Sequence, residues 1–320
     1  MNSSHFAEID LLSVALVRGA RMELYLTPKP GLVDLADCGS HPDLSLSRME
    51  QSLHFLPDYL RELQYSLAAG EPFTSQVAIG MRSEIKMLTV LGTNTHKGYL
   101  FLSGLLLVAR WREPSDDGRR FRGTIASLAG EFFDRQLELA TNGRQARVRY
   151  GAWGIIREAK SGFPALFDEA LPAYREAVVR HGSFMTASFA MLARLMQTVE
   201  DTTTLHRCGA QGLARIRRDG RQIERIIASG GDCVPFLQAT NREYIRMNLT
   251  MGGVADMLGL SYGCLIASGA IRGDSLQTAL PRVRLRDMAP RAAKPTTVFP
   301  EDGSSQSLPC DLFEQMQALT

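Results

Sequence analysis

Lysine, histidine, threonine and asparagine stand side by side in GTNTHKG (92–98), where Asn94, Thr95, His96 and Lys97 lie between two glycines. A turn with one cation, a hydroxyl and an imidazole suits phosphate better than it suits a plain linker. Three further segments concentrate similar chemistry. TPKPGLVDLADCGSHPDL (27–44) carries Lys29, Asp34 and His41, and DTTTLHRCG (201–209) carries Asp201, His206 and Arg207. NLTMGGVADML (248–258) opens a predicted helix on Gly252-Gly253 and is expected to hold Asp256 in its first turn; Glu84 stands on the helix before GTNTHKG. A glycine-opened helix points backbone N–H groups at an anion, lysine and arginine supply charge, and carboxylates hold Mg²⁺ against the same phosphates. Each segment alone has a plainer reading as a turn or a macrodipole complement. In combination they describe a polyphosphate–metal site between helix ends. GTNTHK lacks the glycine before lysine and the Ser/Thr after it that a Walker A loop needs. With no GxGxxG after a strand and no nucleophile elbow, a dinucleotide dehydrogenase and an α/β hydrolase are disfavoured.

The elements that must position these loops are helical. FAEIDLLSVALVRGARMELYL (6–26) places Phe6, Ile9, Ala15 and Leu16 on one broad face, and two prolines and a glycine stop it at TPKPG. A second helix is predicted from Ser47, where Ser47 and Glu50 have capping-box spacing, with Pro57 kinking or splitting it. A third covers 74–91 with Thr74 as its cap, and an apolar helix resumes over 98–110. Further helices are predicted near 121–142, 164–181, 183–199, 207–229, 233–248 and 254–269. VRY (148–150) is too short to anchor a sheet. The expectation is an all-α chain: one large multi-helical domain over 1–272, then a flexible Pro/Arg/Ser-rich tail over 273–320.

Composition narrows the class. Of 320 residues 45% are apolar, enough for a sizeable core, and 36 basic against 34 acidic residues argue against a general nucleic-acid binder. Five scattered cysteines without a CxxC pair suggest reduced thiols. The N-terminus lacks signal-peptide character and the run YLFLSGLLLVA (99–109) is short for a bilayer, so a soluble cytoplasmic protein with no membrane partner is expected.

In this order, TPKPGLVD with GSHPDL, Gly80-Glu84-Met87 leading into GTNTHKG, REAKSGFPALFDEALP, DTTTLHRCG and NLTMGGVADML resemble the triphosphoribosyl-dephospho-CoA synthase family. The family serves maturation of citrate lyase and malonate decarboxylase. The resemblance implies an all-helical, Mg²⁺-requiring enzyme that joins ATP to 3′-dephospho-CoA and releases adenine. The acceptor's 2′-hydroxyl attacks C1′ of the ATP ribose, and the product passes to an acyl-carrier-protein transferase. Carried onto this chain, Lys29, His41, His96, Lys97, Arg157 and Arg207, with the Gly252 and Gly253 amides, are the substrate contacts. Asn94 and Thr95 orient the turn or touch ribose. Asp34, Glu84, Asp201 and Asp256 are the catalytic carboxylates, of which Glu84, Asp201 and Asp256 are offered to Mg²⁺. The chain departs from the pattern at Met251, where proline is expected, and at Cys208, where a small residue is expected.

Three other readings stay open: a ribosyl transferase on a related nucleotide, a Mg²⁺-dependent ribosyl hydrolase, and a non-catalytic nucleotide-binding partner of the same assembly. The sequence does not choose between the two decarboxylase and lyase pathways. It also leaves oligomeric state open, a homodimer included.

Overall fold

The apolar stripe of residues 6–26 is realised as helix α1 (Ser3–Tyr25), which buries Ile9, Leu12, Leu16 and Ala20. In this computed structural model residues 3–93, 95–115, 117–136, 148–273 and 275 are described, and every regular element among them is helical. After α1 come α2 (Leu46–Leu53), α3 (Phe55–Ala68), α4 (Phe73–Leu91), α5 (Lys97–Arg112) and α6 (Gly118–Gln136). Then follow α7 (Ile155–Lys160), a π-helical turn (Ala165–Ala170) running into α8 (Leu171–His181), α9 (Phe184–Thr198), α10 (Thr202–Ala228), α11 (Val234–Met247) and α12 (Gly252–Ala267). Of the expected tail only Gly273 and Ser275 fall within the described residues.

Helix α5 is the centre. Its run Tyr99–Ala109 is buried at every position but Phe101, as an all-round apolar helix must be, and α1, α3, α4, α6 and α12 pack around it. Helices α1 and α12 lie in close contact because glycines meet at their crossing: a Cβ on Gly19 would stand 2.4 Å from the Gly263 nitrogen and 2.5 Å from the Gly259 carbonyl oxygen. This crossing brings the C-terminal end of α1 near the start of α12. No helix among the described residues is long and apolar enough to cross a membrane.

Several boundaries differ from expectation, each for a local reason. Ser45, not Ser47, caps α2: its backbone is extended (φ −140°, ψ 162°) and its Oγ accepts from the Arg48 N–H at 3.2 Å. The chain breaks at His54, which leaves Pro57 in the first turn of α3, where its missing N–H costs nothing. Helix α4 starts one residue before Thr74, with Pro72 at the cap position. Residues 148–150 are helical, and α7 has too few residues to show a period in sequence. Helix α12 starts at Gly252, so Asp256 is its fifth residue, just past the first turn in which it was expected.

Candidate active site

Loop 27–44 leaves α1 and folds around one carboxylate. Asp34, 2% exposed, accepts from the Lys29 N–H at 2.8 Å through Oδ2 and from the Ala36 and Asp37 N–H groups at 2.7 and 3.3 Å through Oδ1. The Lys29 side chain turns back into α1, fully buried, and its Nζ donates to both the carbonyl and the carboxylate of Glu23. The far end of the loop docks on the turn after α11. Ser40 Oγ donates to the Leu249 carbonyl at 2.7 Å, and His41 Nε2 pairs with Thr250 Oγ1 at 2.8 Å. Arg207 donates to the Ser40 carbonyl (2.7 Å) and to Asn248 Oδ1 (3.2 Å), with His41 Nδ1 3.4 Å from its guanidinium. Burial, helped by the Arg207 charge, lowers the His41 pKa to about 4.

Asp201 closes two helices at once. Its Oδ1 caps α10 through the Thr204 N–H (2.8 Å), while Oδ2 accepts from Val254 (3.0 Å) in the first turn of α12, with the Gly253 amide also on it. Burial pushes this carboxyl upward against the pull of those amides. Thr204 Oγ1 donates to the Thr250 carbonyl at 2.7 Å, tying the same corner to the 248–250 turn. Met251 is fully buried with φ −137°, a value no proline can adopt, so the departure from the family pattern fits the backbone found here. The Cys208 sulfur packs on the Met247 and Asn248 carbonyls at 3.5 and 3.6 Å. One residue before Asp201, Glu200 takes the Trp153 and Gly154 amides at 2.8 Å each, and lies 3.6 Å from Arg157.

In the THKG turn, Asn94 lies outside the described residues. Thr95 Oγ1 and His96 Nδ1 both bond to Ser52 Oγ of α2, above the Met87 sulfur. His96 is 4% exposed, its Nε2 has no hydrogen-bond partner, and burial, with the Lys29 charge second, lowers its pKa to about 4. Lys97, the first residue of α5, is half-exposed and pairs with Glu84 of α4. Next to it, Asp256 reaches across from α12 and accepts from the Tyr99 N–H. That approach exists because residue 98 is glycine: a Cβ there would stand 2.0 Å from Asp256 Oδ2. Burial pushes the Asp256 carboxyl well above the ordinary range, and the negative charges of Glu23 and Asp201 push it further.

The N-terminal ends of α5, α10 and α12 therefore share one polar centre, with loop 27–44 tied to it through Lys29, Ser40 and His41. Lys29, Asp34, His41, His96, Asp201, Arg207, Gly252, Gly253 and Asp256 belong to that connected set. Glu84 and Lys97 form a pair at its outer edge, and Arg157 joins through Glu200, while His206 is exposed. Two surface grooves, of about 690 Å³ beside Tyr174 and Phe184 and about 420 Å³ beside Phe121 and Phe167, share no residue with it. Two roles look different in three dimensions. The Gly253 amide is spent on Asp201, and the Lys29 ammonium on Glu23, so both build the site from inside.

Glu23 and Ser52 are the residues that sequence reasoning missed. Glu23 carried a signal: it extends the stripe Ile9, Leu12, Leu16, Ala20, so a carboxylate stands on a buried face. Ser52 carried none. As to metal, Asp34 and Asp201 commit both oxygens to backbone amides, whereas Glu84, well inside α4, faces Lys97, and Asp256, the fifth residue of α12, accepts from the Tyr99 N–H. Among the described residues no three His, Cys, Asp or Glu side chains are grouped to hold a metal by themselves. Mg²⁺ commonly takes only one or two protein carboxylates and fills its shell with phosphate oxygens and water.

Described residues whose regular elements are all helical, and whose loops gather acids, cations and three helix N-termini at one centre, have the make-up of a nucleotide-dependent transferase. Residues 10–269 match the family described as ATP:dephospho-CoA triphosphoribosyl transferase, and the chain belongs to that family. It is 33% identical over 256 residues to the "2-(5''-triphosphoribosyl)-3'-dephosphocoenzyme-A synthase" of Pectobacterium atrosepticum, covering 75% of this chain and 84% of the relative. It is 32% identical over 262 residues to a protein of Pseudomonas syringae pv. tomato named as a probable enzyme of the same kind, covering 77% and 87%. No solved structure matches.

Proposed function

We propose that this protein joins ATP to 3′-dephospho-CoA, giving 2′-(5″-triphosphoribosyl)-3′-dephospho-CoA and adenine. The reading rests on family membership, and the observation that carries it into the structure is Asp256, a half-buried acid held against Gly98 and the Tyr99 amide at the N-terminus of α5. The reaction breaks the bond between ribose C1′ and adenine N9, with the electron pair leaving on the base. It forms a bond from C1′ to the acceptor's 2′-oxygen. Oxocarbenium character builds on the sugar between the two events.

One proton must reach adenine and one must leave the hydroxyl. Asp256 is suited to both: it lies against the N-terminal turn of α5, and burial raises its pKa above the ordinary carboxylate range. It gives its proton to the departing base, and the carboxylate so formed takes the proton of the attacking hydroxyl. The triphosphate stays on the product and serves as a handle whose binding energy orients the ribose. Lys97, Arg207 and Arg157 are the accessible cations for it, and Lys29 keeps Glu23 in place behind them. Glu84 would be the protein residue to hold Mg²⁺, which would neutralise charge on the phosphates.

Incubating the protein with ATP, dephospho-CoA and Mg²⁺, and following free adenine by chromatography with mass spectrometry of the product, tests this reading. Adenine release that depends on dephospho-CoA, with the predicted adduct mass, is expected. Adenine with free ribose triphosphate would instead make the protein a hydrolase, and ATP binding without any release would make it a non-catalytic partner. We further infer that the product goes to an acyl-carrier-protein transferase for the prosthetic group of citrate lyase or malonate decarboxylase.

A further inference from the structure

Loop 27–44 closes on itself at a neck of two glycines. Gly31 has φ 71° and Gly39 φ 57°, and the Ser40 N–H donates to the Gly31 carbonyl at 3.2 Å. A Cβ on Gly39 would stand 2.5 Å from the Gly31 carbonyl carbon, and one on Gly31 would stand 2.3 Å from the Leu249 carbonyl oxygen. The neck and the 248–250 turn are therefore in direct backbone contact. Asn241, buried on α11, clasps this neck from both sides. Its Oδ1 accepts from the Gly31 N–H at 2.8 Å, and its Nδ2 donates to Asp37 Oδ2 at 2.8 Å. Asp37 Oδ1 in turn accepts from the Gly39 N–H at 2.7 Å. One glycine is thus joined to the other through two side chains.

The partners fix the roles. An amide N–H only donates and a carboxylate only accepts, so residue 241 must accept with one atom and donate with the other, as a carboxamide does. The helix that carries it is braced in turn. Tyr244, one turn on, donates to Asp219 Oδ2 of α10 at 2.9 Å, and Arg215 donates to the same oxygen at 2.6 Å. What the neck sets is the far end of the loop, where Arg207 donates to the Ser40 carbonyl and His41 lies beside the guanidinium. We infer that Asn241 and Asp37 are a positioning pair for nucleotide binding, holding loop 27–44 in the arrangement that aims Arg207 at the triphosphate. The inference rests on the reading of Arg207 as a triphosphate contact and adds to it the pair that keeps that contact in place.

Exchanging the two residues tests it. Asn241→Asp alone sets two carboxylates face to face and removes the donor. Asp37→Asn alone turns an amide NH₂ toward either the Gly39 N–H or Asn241 Nδ2. The double variant Asn241→Asp/Asp37→Asn keeps the net charge and restores every bond with the roles traded: the new carboxylate accepts from Gly31 and from the new carboxamide, whose oxygen accepts from Gly39. In Asn241→Asp, KM for ATP should rise about 10-fold or more with kcat changed less than about 3-fold, and the amides of residues 31–41 should exchange hydrogen faster. Asp37→Asn should raise the same KM by about 3-fold or more, which keeps the comparison open if Asn241→Asp folds poorly. The double variant should bring KM back to within about 3-fold of the unmodified protein and restore slow exchange, a recovery that two unrelated structural defects would not show. Unchanged KM in the single variants, or a double variant no better than the worse single one, would overturn the inference. If the unmodified protein releases no adenine, the transfer reading fails by itself. Calorimetric ATP affinities across the same variants then decide the pair, and affinities that do not recover in the exchanged protein sink it.

Discussion

Lys29→Met is the sharpest test of how the site is built. Lys29 is fully buried and Glu23 is 6% exposed, so neither charge is relieved by water. The ammonium is the positive charge facing Glu23 in a region where Asp34 also acts on that carboxyl, and removing it strands a buried anion. Breaking a buried pair from one side costs about 3–5 kcal/mol, whereas replacing both partners by uncharged groups is far cheaper. For a domain of this size that is a fall of roughly 6–15 °C in Tm. Urea and thermal unfolding of Lys29→Met, Glu23→Gln and the double variant measure it. The double variant should be more stable than Lys29→Met by about half the loss or more. The pH dependence has a definite sign. Burial already raises the Glu23 pKa and Lys29 opposes that rise. Without the lysine the folded-state value climbs further above the unfolded value. Such a group adds stability at low pH and loses it as pH rises through the folded value, so the defect should be larger at pH 8 than at pH 5. A loss under about 1 kcal/mol in Lys29→Met, or strict additivity in the double variant, would refute the internal pairing and return Lys29 to direct phosphate contact.

Lys97→Ala should lower adenine release by about 100-fold or more while Tm moves by less than about 2 °C, because its pair with Glu84 is half-exposed; near-normal turnover would remove Lys97 from the site. Gly98→Ala places a methyl 2.0 Å from Asp256 Oδ2, so the carboxyl must swing away. Turnover should drop at least about 10-fold in a protein that still folds, since alanine favours the helix, and unchanged kcat would take Asp256 out of the proton transfers. His96, with its pKa lowered to about 4, stays neutral in the fold while the unfolded chain protonates near the ordinary value of 6.5. Its contribution is complete above pH 6.5 and declines by about 3 kcal/mol as pH falls to 4. Glu158, raised to about 7 by burial, changes in the opposite sense, losing stability as pH rises toward 7. Comparing the native protein with His96→Asn isolates the imidazole, and a pH-independent difference between the two would show that His96 is not held neutral.

Much of the scaffold was legible along the chain. The apolar stripe of α1, the all-round apolar run of α5 and the Gly252-Gly253 opening of α12 are patterns within four residues, the range over which a helix sets its own neighbours. The types of group in the site were legible too: THKG, KPG and the acid–cation loops announced anion chemistry before any fold was known. What spacing could not carry was the partner of each group. Ser40 finds Leu249 across 209 residues, and Asp201 finds the Val254 amide across 53. Whether Lys29 meets a phosphate or Glu23, and whether Asp201 holds a metal or two helix ends, depends on where α1, α10 and α12 come to rest. Local periodicity makes the helices; only their packing, at crossings as close as Gly19 on Gly263, decides which polar atoms remain for a substrate once the backbone has taken its share.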